Sequence, residues 1–125
     1  MTREPMVVHP DDAVAAPPTA GMERLTVYEE GGTWAGWIRT DAGVAGGWHH
    51  HGGHDSFIYI LRGALLIDYG PGGGSSIQAS AGDFIFNPAN VVHRETTSTE
   101  GEVEAFVLRV GDGPLVVNVD GPEPR

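Results

Sequence analysis

The chain has 125 residues and a formal net charge of −10; it contains no cysteine and no lysine, so its seven basic residues are all arginine. That length suits one domain with a real hydrophobic core, while the missing residue types exclude disulfides, thiolate ligands, cysteine nucleophiles and lysine Schiff bases. The acidic balance argues against nucleic acid and anionic membrane surfaces as partners, since phosphate recognition needs a basic stripe.

Residues 1–21 read as an N-terminal arm. Residues 6–8 could add an edge strand, whereas the stretch DDAVAAPPTAG has turn and linker chemistry, and its Pro17–Pro18 pair is incompatible with a helix. His9 stands alone in this arm and reads as solvated. No apolar h-region of signal-peptide length occurs near the start, and no run approaches the roughly 18 apolar residues of a membrane span. A cytoplasmic protein is the expectation.

From residue 22 to about 120 the chain is a succession of short strand-like segments divided by turn residues. They fall at 23–28, 34–40, 48–51, 56–61, 64–69, 76–79, 83–87, 91–96, 102–110 and 115–119, with 121–125 left as a tail. Arg62-Gly63 between two of them resembles a two-residue hairpin turn, with glycine where φ must be positive. The run Gly70-Pro71-Gly72-Gly73-Gly74 reads as a flexible loop. No long segment carries a 3.6-residue apolar repeat, so helix content should be low and the class all-β, a sandwich or barrel.

Four of the six histidines, His49, His50, His51 and His54, lie within six positions. On a strand, residues i and i+2 share a face, so His49 and His51 point together and His50 points away. Paired neutral imidazoles suit a divalent transition metal such as Zn, Fe, Cu or Ni. No GxSxG elbow, P-loop or dinucleotide fingerprint is present, which leaves metal-centred chemistry.

Two spaced motifs surround this pair. The first runs Gly43, His49, His51, Ser56, Gly63; the second runs Gly82, Pro88, Asn90, His93, Thr97; Tyr59-Ile60-Leu61-Arg62-Gly63 adds a strand and turn. Together they resemble the two motifs of the cupin superfamily over 43–97, somewhat under half of the chain. The resemblance implies a cupin-type β-barrel, a double-stranded β-helix or jelly roll, in which His49, His51 and His93 converge on one metal ion. Glycine at 43, 63 and 82 fits turns that a side chain would strain, and Asn90 is the best non-glycine occupant of a left-handed position.

Ser56 departs from the family pattern, which has a glutamate ligand there. A three-histidine site, a fourth ligand from His54, or Asp55 on a bulged strand would each repair the loss, and the three-histidine form is the favoured one. Losing the carboxylate also raises the charge of the site by one unit, which favours an anionic substrate at the metal. Glu95 shares the face of His93 by alternation and is a candidate proton-handling carboxylate. Ile58 and Ile60 beside Ser56, together with Phe84 and Phe86, are expected to line an apolar substrate pocket. Trp34, Trp37 and Trp48 fit either that pocket or an interface.

The function that these expectations compose is a metal-dependent cupin acting on a small organic molecule, in the form of a mononuclear non-haem iron dioxygenase-type oxidoreductase. Zn, Ni, Mn or Cu are the other candidate ions. A metal-dependent cyclase or isomerase, or a non-catalytic metal- or metabolite-binding module, are the alternatives. The resemblance further implies a homodimer, with residues 102–110 and the N-terminal strand as candidate paired or exchanged edges.

Overall fold

A computed structural model describes residues 4–16 and 19–122. Eleven strands form in chain order: β1 (Val14–Ala15), β2 (Met22–Glu30), β3 (Thr33–Thr40), β4 (His49–His50), β5 (Asp55–Arg62), β6 (Ala64–Tyr69), β7 (Ser75–Ser80), β8 (Phe84–Asn87), β9 (His93–Thr97), β10 (Val103–Val110) and β11 (Val117–Asn118). Among the described residues the only helical pieces are two short 3-10 turns, Pro10–Asp12 and Pro71–Gly73. The all-β class expected from the strand spacing, in the jelly-roll form that the resemblance implies, is what forms.

Two antiparallel sheets face each other. One has the order β1-β2-β3-β10-β5-β8, the other β11-β4-β9-β6-β7. Strand alternation supplies both inner faces: β5 buries Ser56, Ile58 and Ile60, and β10 buries Val103, Ala105, Val107 and Arg109. With Leu65, Ile67, Ala79 and Ile85 from the other strands these make the apolar core, and Ile60 is completely enclosed. At about 25 cal/mol per Å² of apolar surface, each such side chain contributes about 1.5–3 kcal/mol of transfer free energy.

Several expectations are corrected by this architecture. Arg62-Gly63 does not close a hairpin: β5 pairs with β10 and β8, while β6 pairs with β7 and β9, so the chain passes there from one sheet to the other. Gly63 is needed at that corner because its φ is 85° and a Cβ would collide with the Glu102 carbonyl. Residues 6–8 form no strand, and Met6 and Val7 are exposed. The edge strand of the arm is instead Val14–Ala15, carried beside β2 by the turn at Pro10–Asp12. Pro17–Pro18 lies outside the described residues. Residues 102–110 are not an edge either, because β10 is hydrogen-bonded to β3 on one side and β5 on the other. Asn90 is the one described non-glycine residue with positive φ, 63°, and its amide donates to the Gly52 carbonyl at 2.9 Å.

Phe84 and Phe86 share a face, but the outer one. Ser56 is fully enclosed and sits opposite Asn87, which fixes Asn87 and Ile85 as the inward residues of β8. Phe84 and Phe86 are consequently 80% and 55% exposed and do not line an interior pocket. Phe86 packs on Phe57 and Phe84 on Tyr59, with ring centroids 5.3 and 4.7 Å apart. Phe106, cross-strand from Tyr59, extends this outward aromatic strip.

Candidate metal centre

β4 and β9 are neighbours, and His49 lies directly opposite His93 in their register. His51 follows β4 on the same side, held by the turn through Gly52 and Gly53. One ring nitrogen from each of His49, His51 and His93 lies within 4.8 Å of the others, and the ring centroids are 4.4–5.1 Å apart. The HxH pair and the distant His93 are thus brought together by two strands of one sheet.

The tautomers follow from the second ring nitrogen. His49 Nδ1 is 2.9 Å from the Gly47 carbonyl, His51 Nδ1 is 2.8 Å from that of Leu115, and His93 Nδ1 is 3.0 Å from that of Val91. A carbonyl oxygen only accepts, so each Nδ1 carries the proton and donates it. Every Nε2 is left with a lone pair, the arrangement by which backbone carbonyls orient metal-ligating imidazoles. The Asn87 amide donates to His93 Nε2 at 3.2 Å.

Burial keeps the rings of His49 and His51 neutral. Burial lowers the pKa of His49; burial, and then the charge of Arg109, push that of His51 down to about 3. Neutral imidazole is the ligating form, so protons do not compete for these two nitrogens at neutral pH. The donor set therefore fits a divalent transition ion.

Glu95 lies on the face of His93 as alternation predicts, with its carboxylate oxygen 3.6 Å from His93 Nε2. Burial raises the pKa of Glu95, but its closeness to His93, and then to His49 and His51, outweighs burial and lowers it. It stands outside the group of three converging nitrogens.

The remaining expected residues are placed as follows. His50 turns away, its Nδ1 accepting from the Gly52 amide at 3.0 Å. His54 is buried, but its Nδ1 donates to the His51 carbonyl at 3.1 Å, and its ring lines a cleft of about 370 Å³ with Trp34, Gly111, Asp112 and Leu115. It does not join the converging nitrogens. Asp55 accepts from the Ala89 amide at 2.9 Å, and the register of β5 with β10 is unbroken there, so no bulge carries this carboxylate inward. Ser56 takes the inward position, fully enclosed, and Ile58 and Ile60 continue its face into the core.

Asn87 and Arg109 were not singled out from the sequence. Both occupy core-phase positions, Asn87 two residues beyond Ile85 and Arg109 two beyond Val107, and that period-two placement was the available signal. Burial lowers the pKa of Arg109 to about 10, which leaves it a cation at neutral pH.

A family model described as Cupin domain matches residues 36–109. The nucleoside dehydratase Pac13 superposes with a TM-score of 0.75 at 10% identity, over 96% of this chain and 95% of its own. The polyketide cyclase RemF from Streptomyces resistomycificus gives 0.73 at 19% identity, over 93% and 86%. KdgF from Halomonas sp. gives 0.70 at 18% identity, over 87% and 96%. At these identities the likeness is one of fold. No curated protein matches the chain.

Proposed function

Since the chain belongs to the cupin domain family, we propose that it is a metal-dependent enzyme of a small organic substrate, a dioxygenase-type oxidoreductase with a mononuclear non-haem iron site. The observation that carries this reading is the convergence of one ring nitrogen from each of His49, His51 and His93 within 4.8 Å, with each Nδ1 donating to a backbone carbonyl. His49, His51 and His93 would hold the ion. Bound there, iron supplies a Lewis acid and an electron relay for dioxygen.

The protein's own residues account for the rest. Three neutral protein ligands leave part of a metal's coordination to substrate, because Ser56 supplies no carboxylate. Glu95, held ionised and 3.6 Å from His93, would take or return a substrate proton.

A second reading, a cyclase, isomerase or dehydratase using the ion only to polarise a carbonyl, draws support from Glu95 as a base and from the activities named for two fold neighbours. Elemental analysis of freshly purified protein, followed by oxygen-uptake assays of the iron- and zinc-loaded forms against a carboxylic-acid library, separates the two. Oxygen consumption by the iron form alone supports the oxidoreductase. Equal turnover by both forms without oxygen uptake overturns it in favour of the second reading, and no metal even after reconstitution overturns both.

We also propose a homodimer built on the outward aromatic strip. Phe57, Phe84, Phe86 and Phe106 are exposed on one sheet face, and contiguous apolar surface of this kind marks protein interfaces.

A further inference from the structure

Facing the imidazoles, the inner surface of the six-stranded sheet carries one cross-strand row. Trp34 pairs with Arg109, Arg109 with Ser56, and Ser56 with Asn87, so the four side chains stand side by side on β3, β10, β5 and β8. All four are buried, Ser56 completely and Arg109 to 8% exposure. The two ends of the row are committed. The Arg109 guanidinium carbon lies over the Trp34 ring, 5.0 Å from its centre, and the Asn87 amide is bonded to His93.

The middle of the row is not committed. Ser56 Oγ and Arg109 Nε are the buried side-chain polar atoms with no hydrogen-bond partner among the described residues. They belong to directly paired residues on adjacent strands. Among the described residues Arg109 forms no ion pair either; Glu95 acts on it through space. Burying a guanidinium is costly unless an anion and further hydrogen bonds compensate it, and native structures leave few such groups without a purpose.

Charge counting gives the sign of the partner. The Arg109 guanidinium and the Glu95 carboxylate cancel, so a divalent ion held by the histidines would leave the interior at +2. Chemistry gives its shape. A guanidinium offers N–H donors in a planar fork that matches a carboxylate, and the Ser56 hydroxyl beside it adds one more donor.

We propose that Arg109 and Ser56 form a carboxylate-holding subsite of the three-histidine centre, which selects substrates bearing a carboxylate next to the reacting group. Trp34 packs against the guanidinium, and Asn87 links the row to His93. The subsite deepens the proposed function by naming a substrate class, but the guanidinium's lack of a partner holds with or without an ion at the histidines.

The test uses the full chain, metal-free and zinc-loaded, with acetate as probe, acetamide as its neutral isostere and inorganic phosphate as a second anion. Arginine Nε–H resonances report binding, with that of Arg109 assigned as the signal lost in Arg109→Met. Acetate is expected to shift that resonance and to bind at least 10-fold tighter than acetamide. Arg109→Met should abolish the preference while zinc content stays at one ion per chain. Ser56→Ala, a change of one hydroxyl, should weaken acetate several-fold and leave acetamide unchanged. Equal affinity for acetate and acetamide, or an unaltered preference in Arg109→Met, overturns the subsite; phosphate binding tighter than acetate overturns the carboxylate assignment. Zinc content separates the two proposals: carboxylate preference without metal retention defeats the metal reading alone, and metal retention without preference defeats the subsite alone.

Discussion

Replacing His93 by alanine tests the centre through stability as well as through metal. His93 is fully enclosed, and its ring is bonded to the Val91 carbonyl and the Asn87 amide. Removing it leaves a cavity and an unpaired buried amide, the latter costing about 1–3 kcal/mol. We take about 3 kcal/mol in total for the metal-free variant. At about 2.1 cal/mol/K per residue of unfolding entropy, a chain of this size loses about 4 °C of Tm per kcal/mol, so the drop should be about 12 °C. In the wild type, an ion at 100 times its Kd adds about 2.7 kcal/mol, a rise of about 10 °C. Differential scanning calorimetry with and without Zn²⁺ or Fe²⁺ reads both quantities. The wild type should gain and His93→Ala should gain nothing. A metal-induced rise in the variant within 2 °C of the wild-type rise would falsify the assignment of His93 as a ligand.

Three other outcomes follow from the geometry. His54→Ala should lose about 1–3 kcal/mol of stability, because it empties a buried position bonded to the His51 carbonyl, yet keep its full metal-induced shift; loss of metal in this variant would make His54 a ligand. For the metal-free protein, the folded-state pKa of His51 lies near 3, below the usual 6.5, so the unfolded chain takes up the proton first. Stability is then complete above about pH 6.5 and falls by about 1.4 kcal/mol per unit as pH drops toward 3. His49 adds in the same direction, and His51→Gln should flatten the decline, measured as Tm between pH 7 and 5; an unchanged slope refutes the cause. Phe84→Ser with Phe86→Ser should give a monomer by light scattering with Tm altered by less than about 5 °C, since both rings lie on the outer face; a persisting dimer places the interface elsewhere.

The strand ladder and the His49–His51 pair were legible in the sequence through period-two alternation and turn residues, which are local signals, whereas the distant His93 was joined to them by the resemblance to the cupin motifs. What local signals do not carry is the destination of the chain after a turn. Arg62-Gly63 has the chemistry of a hairpin, but Gly63 takes the strand around a corner into the facing sheet. Alternation likewise groups Phe84 with Phe86 without telling which side is inside; that was decided by Ser56, whose burial dictates the phase of Asn87 through cross-strand register. Arg109 was passed over because a charged residue at a core-phase position conflicts with the usual exposure of arginine. Such conflicts between local rule and placement mark functional sites more often than errors.

The position of β10 governs when this protein becomes itself during synthesis. The strand occupies the middle of its sheet, between β3 and β5, yet leaves the ribosome after both of them. Until residue 110 emerges, β3 and β5 each present an open edge, and the core side chains Val103, Ala105 and Val107 are missing from the face they complete. The nascent chain therefore carries its histidines long before it can hold them in place, with unpaired edges that invite pairing to other chains. A stalled or truncated product lacking 103–110 is the form of this molecule most in need of a chaperone, and cellular quality control would recognise it by those two edges.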